Sequence, residues 1–189
     1  MANYIANEPS TEEQREKITG NKNDLNSKKK ASQSEIKSLI KGLADENGLI
    51  RRSHAEALAN IGSAALPELI KVLLKSKNVI QRRAAAKTLK LVEDPAALPH
   101  LIKALTNDSD PVVQFSAAGA IAIFGETAVD HLITVLENKE NTEMHYGLAS
   151  WCLEFIGAKA ANAIKKAAKS KNTNVRSAAI SALEDHIRQ

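Results

Sequence analysis

One octapeptide returns along the chain. Leu66-Pro67-Glu68-Leu69-Ile70-Lys71-Val72-Leu73 reappears as Leu98-Pro99-His100-Leu101-Ile102-Lys103-Ala104-Leu105, and more loosely as Val129-Asp130-His131-Leu132-Ile133-Thr134-Val135-Leu136. Ile36 to Leu43 and Ala161 to Ala168 extend the series. Self-similarity at a spacing of about thirty residues confines a chain to arrays in which one supersecondary unit stacks on the next. The apolar residues within each copy recur at i, i+3, i+4 and i+7, which makes one apolar stripe on a helix. Pro67 and Pro99 fit a helix start, where the missing N–H has no intrahelical partner to lose.

A second series follows the first after a short polar turn. Ile50 to Leu58 aligns with Gln81 to Leu89, Val113 to Ile121, His145 to Leu153 and Val175 to Leu183. Gly62, Gly125 and Gly157 follow three of these segments, as a helix C-terminus prefers. Composition agrees with helices throughout. Aromatics are 3% of the 189 residues, and the abundant Ala, Leu, Ile and Lys lose little side-chain entropy in that conformation. The expectation is an all-α, right-handed α-solenoid of about five helix pairs, because one pair cannot bury its apolar stripe alone.

The polar turn and the helix behind it resemble the HEAT-like repeat family, whose signature is an Asp/Asn turn followed by Val-Arg-x-x-Ala-Ala-x-Ala-Leu. Here the pattern stands as NDSDPVVQFSAAGAI, NTNVRSAAISAL and GLIRRSHAEAL. The resemblance covers residues 36 to 187, and the repeat domain is expected over residues 35–189. Residues 1–34 hold few large apolar side chains and include Lys28-Lys29-Lys30. They read as a mobile, solvated tail, with a basic docking arm as the alternative. Arg51, Arg82 and Arg176 occupy the family's arginine position and are expected to reach adjacent turns at Asp45, Asn78 and Asp108. Gln114 and Tyr146 replace that arginine in the third and fourth repeats, which interrupts the ladder.

Catalytic constellations are not evident. The sequence has no glycine-rich phosphate loop, no paired cysteines and no His-Glu-x-x-His motif. His100 and His131 fall at equivalent positions of successive first helices, yet two imidazoles without a third ligand read as surface residues, so no metal is expected. The single cysteine, Cys152, stands where Ala57, Thr88, Ala120 and Ala182 stand in the other repeats, and reads as core filler. A lone cysteine allows no internal disulfide. The start of the chain lacks the pattern of a secretory signal, and no apolar run of about 18 residues is apparent. The expected location is cytoplasmic, with no membrane partner. A net charge of +4 permits an anionic partner without implying nucleic acid, whose binding is not expected.

The outward positions of the second helices are more informative. Two columns run Arg52, Arg83, Phe115, Gly147, Ser177 and Glu56, Lys87, Gly119, Trp151, Ser181. Phe115 and Trp151 lie in neighbouring repeats where a solvated face calls for polar residues. Gly119 and Gly147 leave space beside them, and Arg83 and Lys87 flank them. Two readings stand: a binding surface for a flat, anionic ligand or a protein partner, or rings buried by superhelical twist.

GLASWCLEFIGAKA, LIRRSHAEALANIGSAALPELIKVLL and DPAALPHLIKALTNDSDPVV resemble the cyanobacterial E/F-type phycobilin lyases, with their phycoerythrin lyase-chaperones and the relative implicated in phycobilisome breakdown. The resemblance implies binding of a phycobiliprotein subunit and action on its bilin, either attachment and chaperoning or detachment. It implies a linear tetrapyrrole (phycobilin) as ligand rather than a tightly held cofactor, and a partner lyase subunit in a heterodimer. The groove residues would be Arg52, Arg83, Lys87, Phe115, Trp151 and Tyr146, with no catalytic residue assigned. The paired His-Cys motifs of the isomerising members are absent. A non-catalytic protein-interaction scaffold is the alternative.

Overall fold

Each turn between paired helices is built around one Asn, Asp or Thr that caps the second helix. Asn47 Oδ1 accepts from Leu49 N–H at 2.9 Å, Asn78 Oδ1 from Gln81 N–H at 3.2 Å, and Asp110 Oδ1 from Val112 N–H at 2.8 Å. Asn172 Oδ1 repeats the contact with Val175 N–H at 3.2 Å. A side-chain acceptor here satisfies one of the orphan donors of the first turn and contributes about 1 kcal/mol. The fourth repeat uses another device: Thr142 N–H donates to Nδ1 of the buried His145 at 3.2 Å.

The structure, a computed structural model, describes residues 31–185. Ten α-helices lie among them: α1 (Gln33–Gly42), α2 (Gly48–Ile61), α3 (Leu66–Lys75), α4 (Val79–Val92), α5 (Leu98–Asn107), α6 (Pro111–Ile121), α7 (Glu126–Glu137), α8 (Glu143–Ile156), α9 (Ala161–Ala167) and α10 (Thr173–Asp185). No strand occurs among the described residues. Residues 1–30 of the expected tail, with the Lys28 to Lys30 run, and His186 lie outside them, whereas Gln33 and Ser34 of that tail are helical. The first helix begins at Gln33, two residues ahead of the expected domain boundary, with Ser32 as its cap.

Odd-numbered helices pack on their odd neighbours and even on even, so the stack is a two-layer solenoid. Its core is a column of fully buried leucines and isoleucines, among them Ile36, Leu58, Leu69, Leu89, Leu101, Ile121, Leu132 and Leu153. Truncating any one to alanine costs about 2–5 kcal/mol in such packing. Alanines at Ala85, Ala86, Ala117, Ala118 and Ala149 are buried between second helices and permit their close approach. The even helices approach one another more closely than the odd ones do, as the inner row of a curved stack must. The α6–α8 seam is the exception, being no tighter than the α5–α7 contact beside it.

By length and composition the continuous helical stretch Gly48–Lys75 is apolar enough to cross a membrane, contrary to the expectation that no such run exists. It is not one helix, however. Gly62 breaks it with φ of 73°, a conformation that side-chain-bearing residues rarely adopt. At 14 and 10 residues, α2 and α3 each fall short of the roughly 20 that a span needs.

Candidate functional site

The arginine position proves to be a turn clamp, and it survives where the arginine does not. Side chains at this position donate to the carbonyl six residues back: Arg51 to Asp45, Arg82 to Ser76 at 2.9 Å, Gln114 to Asp108 at 2.7 Å and Arg176 to Ser170 at 2.9 Å. Arg51 and Arg82 therefore reach Asp45 and Asp108 as expected, the first through a backbone carbonyl and the second through its carboxylate. Asn78 is no partner, because its side chain caps α4. The ladder is not interrupted at Gln114 and Tyr146, since amide and phenol donate as guanidinium does. In the fourth repeat the capped carbonyl lies eight residues back, and Tyr146 Oη reaches Asn138 O at 2.9 Å. Tyr146, expected in the groove, thus belongs to this row of turn clamps. Its hydroxyl is engaged in its own turn.

Phe115 and Trp151 are both exposed, at 57% and 37%, so superhelical twist does not bury them. Their ring centroids lie 5.7 Å apart with planes inclined at 33°, and the pair bridges the loose α6–α8 seam. Phe155 extends the cluster, 5.7 Å from Trp151 at 34° and 56% exposed. Tilted contacts at these distances suit the aromatic quadrupole. Phe155 escaped the sequence reading, although it sits one helical turn beyond Trp151 on the same face of α8. Gly119 and Gly147 have nothing within 4 Å of where a Cβ would stand, so open space adjoins the rings.

On α4, the next helix in the row, Arg83 and Lys87 lie exposed in the columns of Phe115 and Trp151. Neither forms an ion pair among the described residues. Partial burial, and then the positive charges of Arg83, Arg51 and Lys90, push the Lys87 ammonium below its ordinary range. Positive charge here lacks local compensation, and an anion would relieve it. Arg52, one helix further on α2, differs: its Nε holds Glu56 Oε1 at 2.8 Å, which offsets its charge. The structure therefore joins Phe115, Trp151 and Phe155 in one cluster, sets Arg83 and Lys87 on the helix next to that of Phe115, and leaves Arg52 paired at the margin.

A second apolar element was also missed. Leu49, Ile80, Val112 and Met144 occupy the same position in the first turns of α2, α4, α6 and α8, and all four are exposed. They form a row alongside the aromatic columns. Cys152 is fully buried, with Sγ 3.3 Å from Ala118 O, and desolvation pushes its thiol up to about 12. It is core filler, as its alignment with alanines indicated. No metal-binding cluster of His, Cys, Asp or Glu occurs among the described residues.

Comparison with known proteins places this geometry among relatives. Residues 36–122 match the HEAT repeat family model. The bilin biosynthesis protein MpeU of Synechococcus sp. (strain WH8020) is 38% identical over 150 residues, covering 79% of this chain and 50% of MpeU. The uncharacterized phycocyanin operon protein Z of Pseudanabaena tenuis (strain PCC 7409) is 30% identical over 122 residues, covering 61% of this chain and 60% of that protein. The chain thus spans half to three-fifths of the length of these relatives. Among solved structures, the complex of CpcE and CpcF of phycocyanin lyase from Nostoc sp. PCC7120 contains a chain that matches with a TM-score of 0.54 at 20% identity, over 80% of this chain and 99% of that one. The protein is an all-α solenoid whose residues 36–122 match HEAT repeats and whose sequence is similar to that of a bilin biosynthesis protein.

Proposed function

We propose that this chain binds a linear tetrapyrrole on its even-helix face and holds it for attachment to, or removal from, a phycobiliprotein subunit. The observation that carries the reading is the exposed Phe115–Trp151–Phe155 cluster next to the helix of Arg83 and Lys87, cations that form no ion pair among the described residues. A bilin offers a conjugated face for the rings and two propionates for the cations, and guanidinium in particular matches carboxylate geometry. The bilin biosynthesis naming of MpeU supports this ligand class.

The role is one of positioning. Cys152 is buried and holds its proton to about pH 12, so it supplies no thiolate at neutral pH. In this reading the thioether forms or breaks at a cysteine of the phycobiliprotein, and the solenoid accelerates the step by orienting the bilin against it. A partner chain of the same repeat class completes the site in this reading, as the phycocyanin lyase of similar fold is a complex of two chains, CpcE and CpcF. Attachment, chaperoning and detachment share this geometry.

Trp151 is the only tryptophan and lies within the patch, so its emission reports occupancy directly. Saturable quenching by phycocyanobilin or phycoerythrobilin, together with complex formation with an apo-phycobiliprotein subunit, is expected. Absence of both with either bilin would discard the proposal. The row Leu49, Ile80, Val112 and Met144 favours a second reading, a protein-binding scaffold without bilin. Capture of a phycobiliprotein subunit with no bilin-dependent quenching would select it.

A further inference from the structure

The opposite layer of the solenoid carries a second charged feature that the bilin reading does not use. Lys41, Lys71 and Lys103 occupy the same position of α1, α3 and α5, and all are exposed. Lys37 and Lys75 stand one helical turn from Lys41 and Lys71 on the same helices. α1 and α3 thus each carry a like-charged i, i+4 pair, an arrangement that destabilises an isolated helix. Glu68, 3.8 Å from Lys71, is the one acid lining the space between the lysines of α1 and α3, while Asp108, beside Lys103, is held by Arg82. The fourth repeat has Thr134 at this position, so the strip ends there.

The lysines flank two grooves. One, of about 380 Å³, runs between α1 and α3 and is lined by Lys37, Lys41, Lys71 and Lys75 over Ile40 and Val72. The other, of about 240 Å³, lies between α3 and α5 beside Lys103, and the two meet at Lys75 and Ser76. Lysine stems cover apolar walls while their ammonium groups stay at the rim in water. The section of the first groove is therefore apolar at the floor and cationic at both edges.

We propose that this strip is a docking site for an acidic polypeptide segment in which acidic and apolar residues alternate. Alternate side chains of an extended chain are about 6.7 Å apart on one face, close to the roughly 6 Å rise between Lys37 and Lys41 or between Lys71 and Lys75. Apolar side chains of such a segment meet Ile40 and Val72, and its carboxylates reach the rim. Glu68 within the wall disfavours densely spaced phosphates, and the apolar floor gives them no contact, so a polypeptide fits better than nucleic acid or a lipid surface.

A fluorescein-labelled peptide of alternating Glu and Leu, followed by fluorescence anisotropy on the full chain, tests the site. Binding is expected to weaken with salt, and by about tenfold or more in Lys71→Glu/Lys75→Glu. Lys37→Gln/Lys103→Gln should show a smaller loss, and Arg83→Gln/Lys87→Gln none, which separates this site from the bilin face. A Glu/Ser peptide should bind more weakly than the Glu/Leu one. Equal binding of a Gln/Leu peptide, or undiminished affinity in Lys71→Glu/Lys75→Glu with helical circular dichroism intact, would overturn the proposal. So would duplex DNA or phosphatidylglycerol vesicles binding more tightly than the peptide through the same lysines.

Discussion

Trp151 meets Phe115 across the seam between α8 and α6, ring centroid to ring centroid at 5.7 Å, where two exposed side chains of different repeats form one surface. An exposed aromatic pair contributes less to folding than a buried one, so its removal should be felt in binding. Trp151→Phe and Phe115→Ala are expected to weaken bilin binding, the latter by about tenfold, which corresponds to about 1.4 kcal/mol. Thermal midpoints should move by only a few degrees. Absorption titration with phycocyanobilin measures the first effect and circular dichroism the second. A collapsed fold with unchanged bilin affinity per folded molecule would contradict the assignment.

The two glycines beside the rings separate shape from stability. Gly119 and Gly147 are helical and unopposed, so alanine at either position should stabilise its helix by about 1 kcal/mol and raise the melting temperature by about 2–4 °C. Gly119→Leu should keep much of that gain while filling the space proposed for a bilin, so stability and binding should move in opposite directions. Calorimetry and the Trp151 quenching assay, run on the same samples, check this.

Arg82 and Asp108 hold the second repeat to the third. Nε and Nη2 of Arg82 meet the two carboxylate oxygens at 2.7 and 2.8 Å, and the side chains are only 11% and 6% exposed. The hydrogen bond to Asp108 is the main reason that the guanidinium stands above its ordinary range, against an opposing effect of burial. Arg82→Ala, which strands a buried carboxylate, should cost about 3 kcal/mol. The double change Arg82→Met/Asp108→Leu should cost less than that single one, because nothing charged is left unpaired. Urea unfolding of the single and double variants checks the order.

Cys152 should resist thiol reagents in the folded chain. Labelling by iodoacetamide is expected to follow denaturant concentration and to change little between pH 7 and about pH 9, in contrast to an exposed thiol. The linkage has a definite sign. The thiol stands raised from 9.0 to about 12 by desolvation, so above pH 9 the unfolded state loses this proton first. Its contribution to stability is complete below 9.0 and is lost as pH rises toward 12. Cys152→Ala should remove that alkaline component while costing little at neutral pH, since alanine fills the equivalent site at Ala120 and Ala182.

The register of the repeats was legible because it is local. The polar turns between paired helices, the breaks at Gly62 and Gly157, and the outward columns through Phe115 and Trp151 all follow from residue type and helical period. Tyr146 shows where such reasoning ends. Alignment puts it at the arginine position, but the direction of its hydroxyl depends on a turn whose capped carbonyl lies eight residues back rather than six. Phe155 was within reach of the same argument carried one turn further along α8. The exposed row of Leu49, Ile80, Val112 and Met144 was obscured because apolar residues in a first helical turn also serve as core.

By itself the sequence determined that the chain is a series of paired helices, the register of the repeats and the buried stripe of each helix, since backbone hydrogen bonding and side-chain period act over a few residues. Tertiary structure decided the rest. Arg82 finds Asp108 twenty-six positions away, Cys152 reaches Ala118 O, and Phe115 meets Trp151 only after the repeats have stacked at a particular offset. That offset is set by the packing of Ala117, Ala118 and Ala149 between helices, and no single repeat contains it.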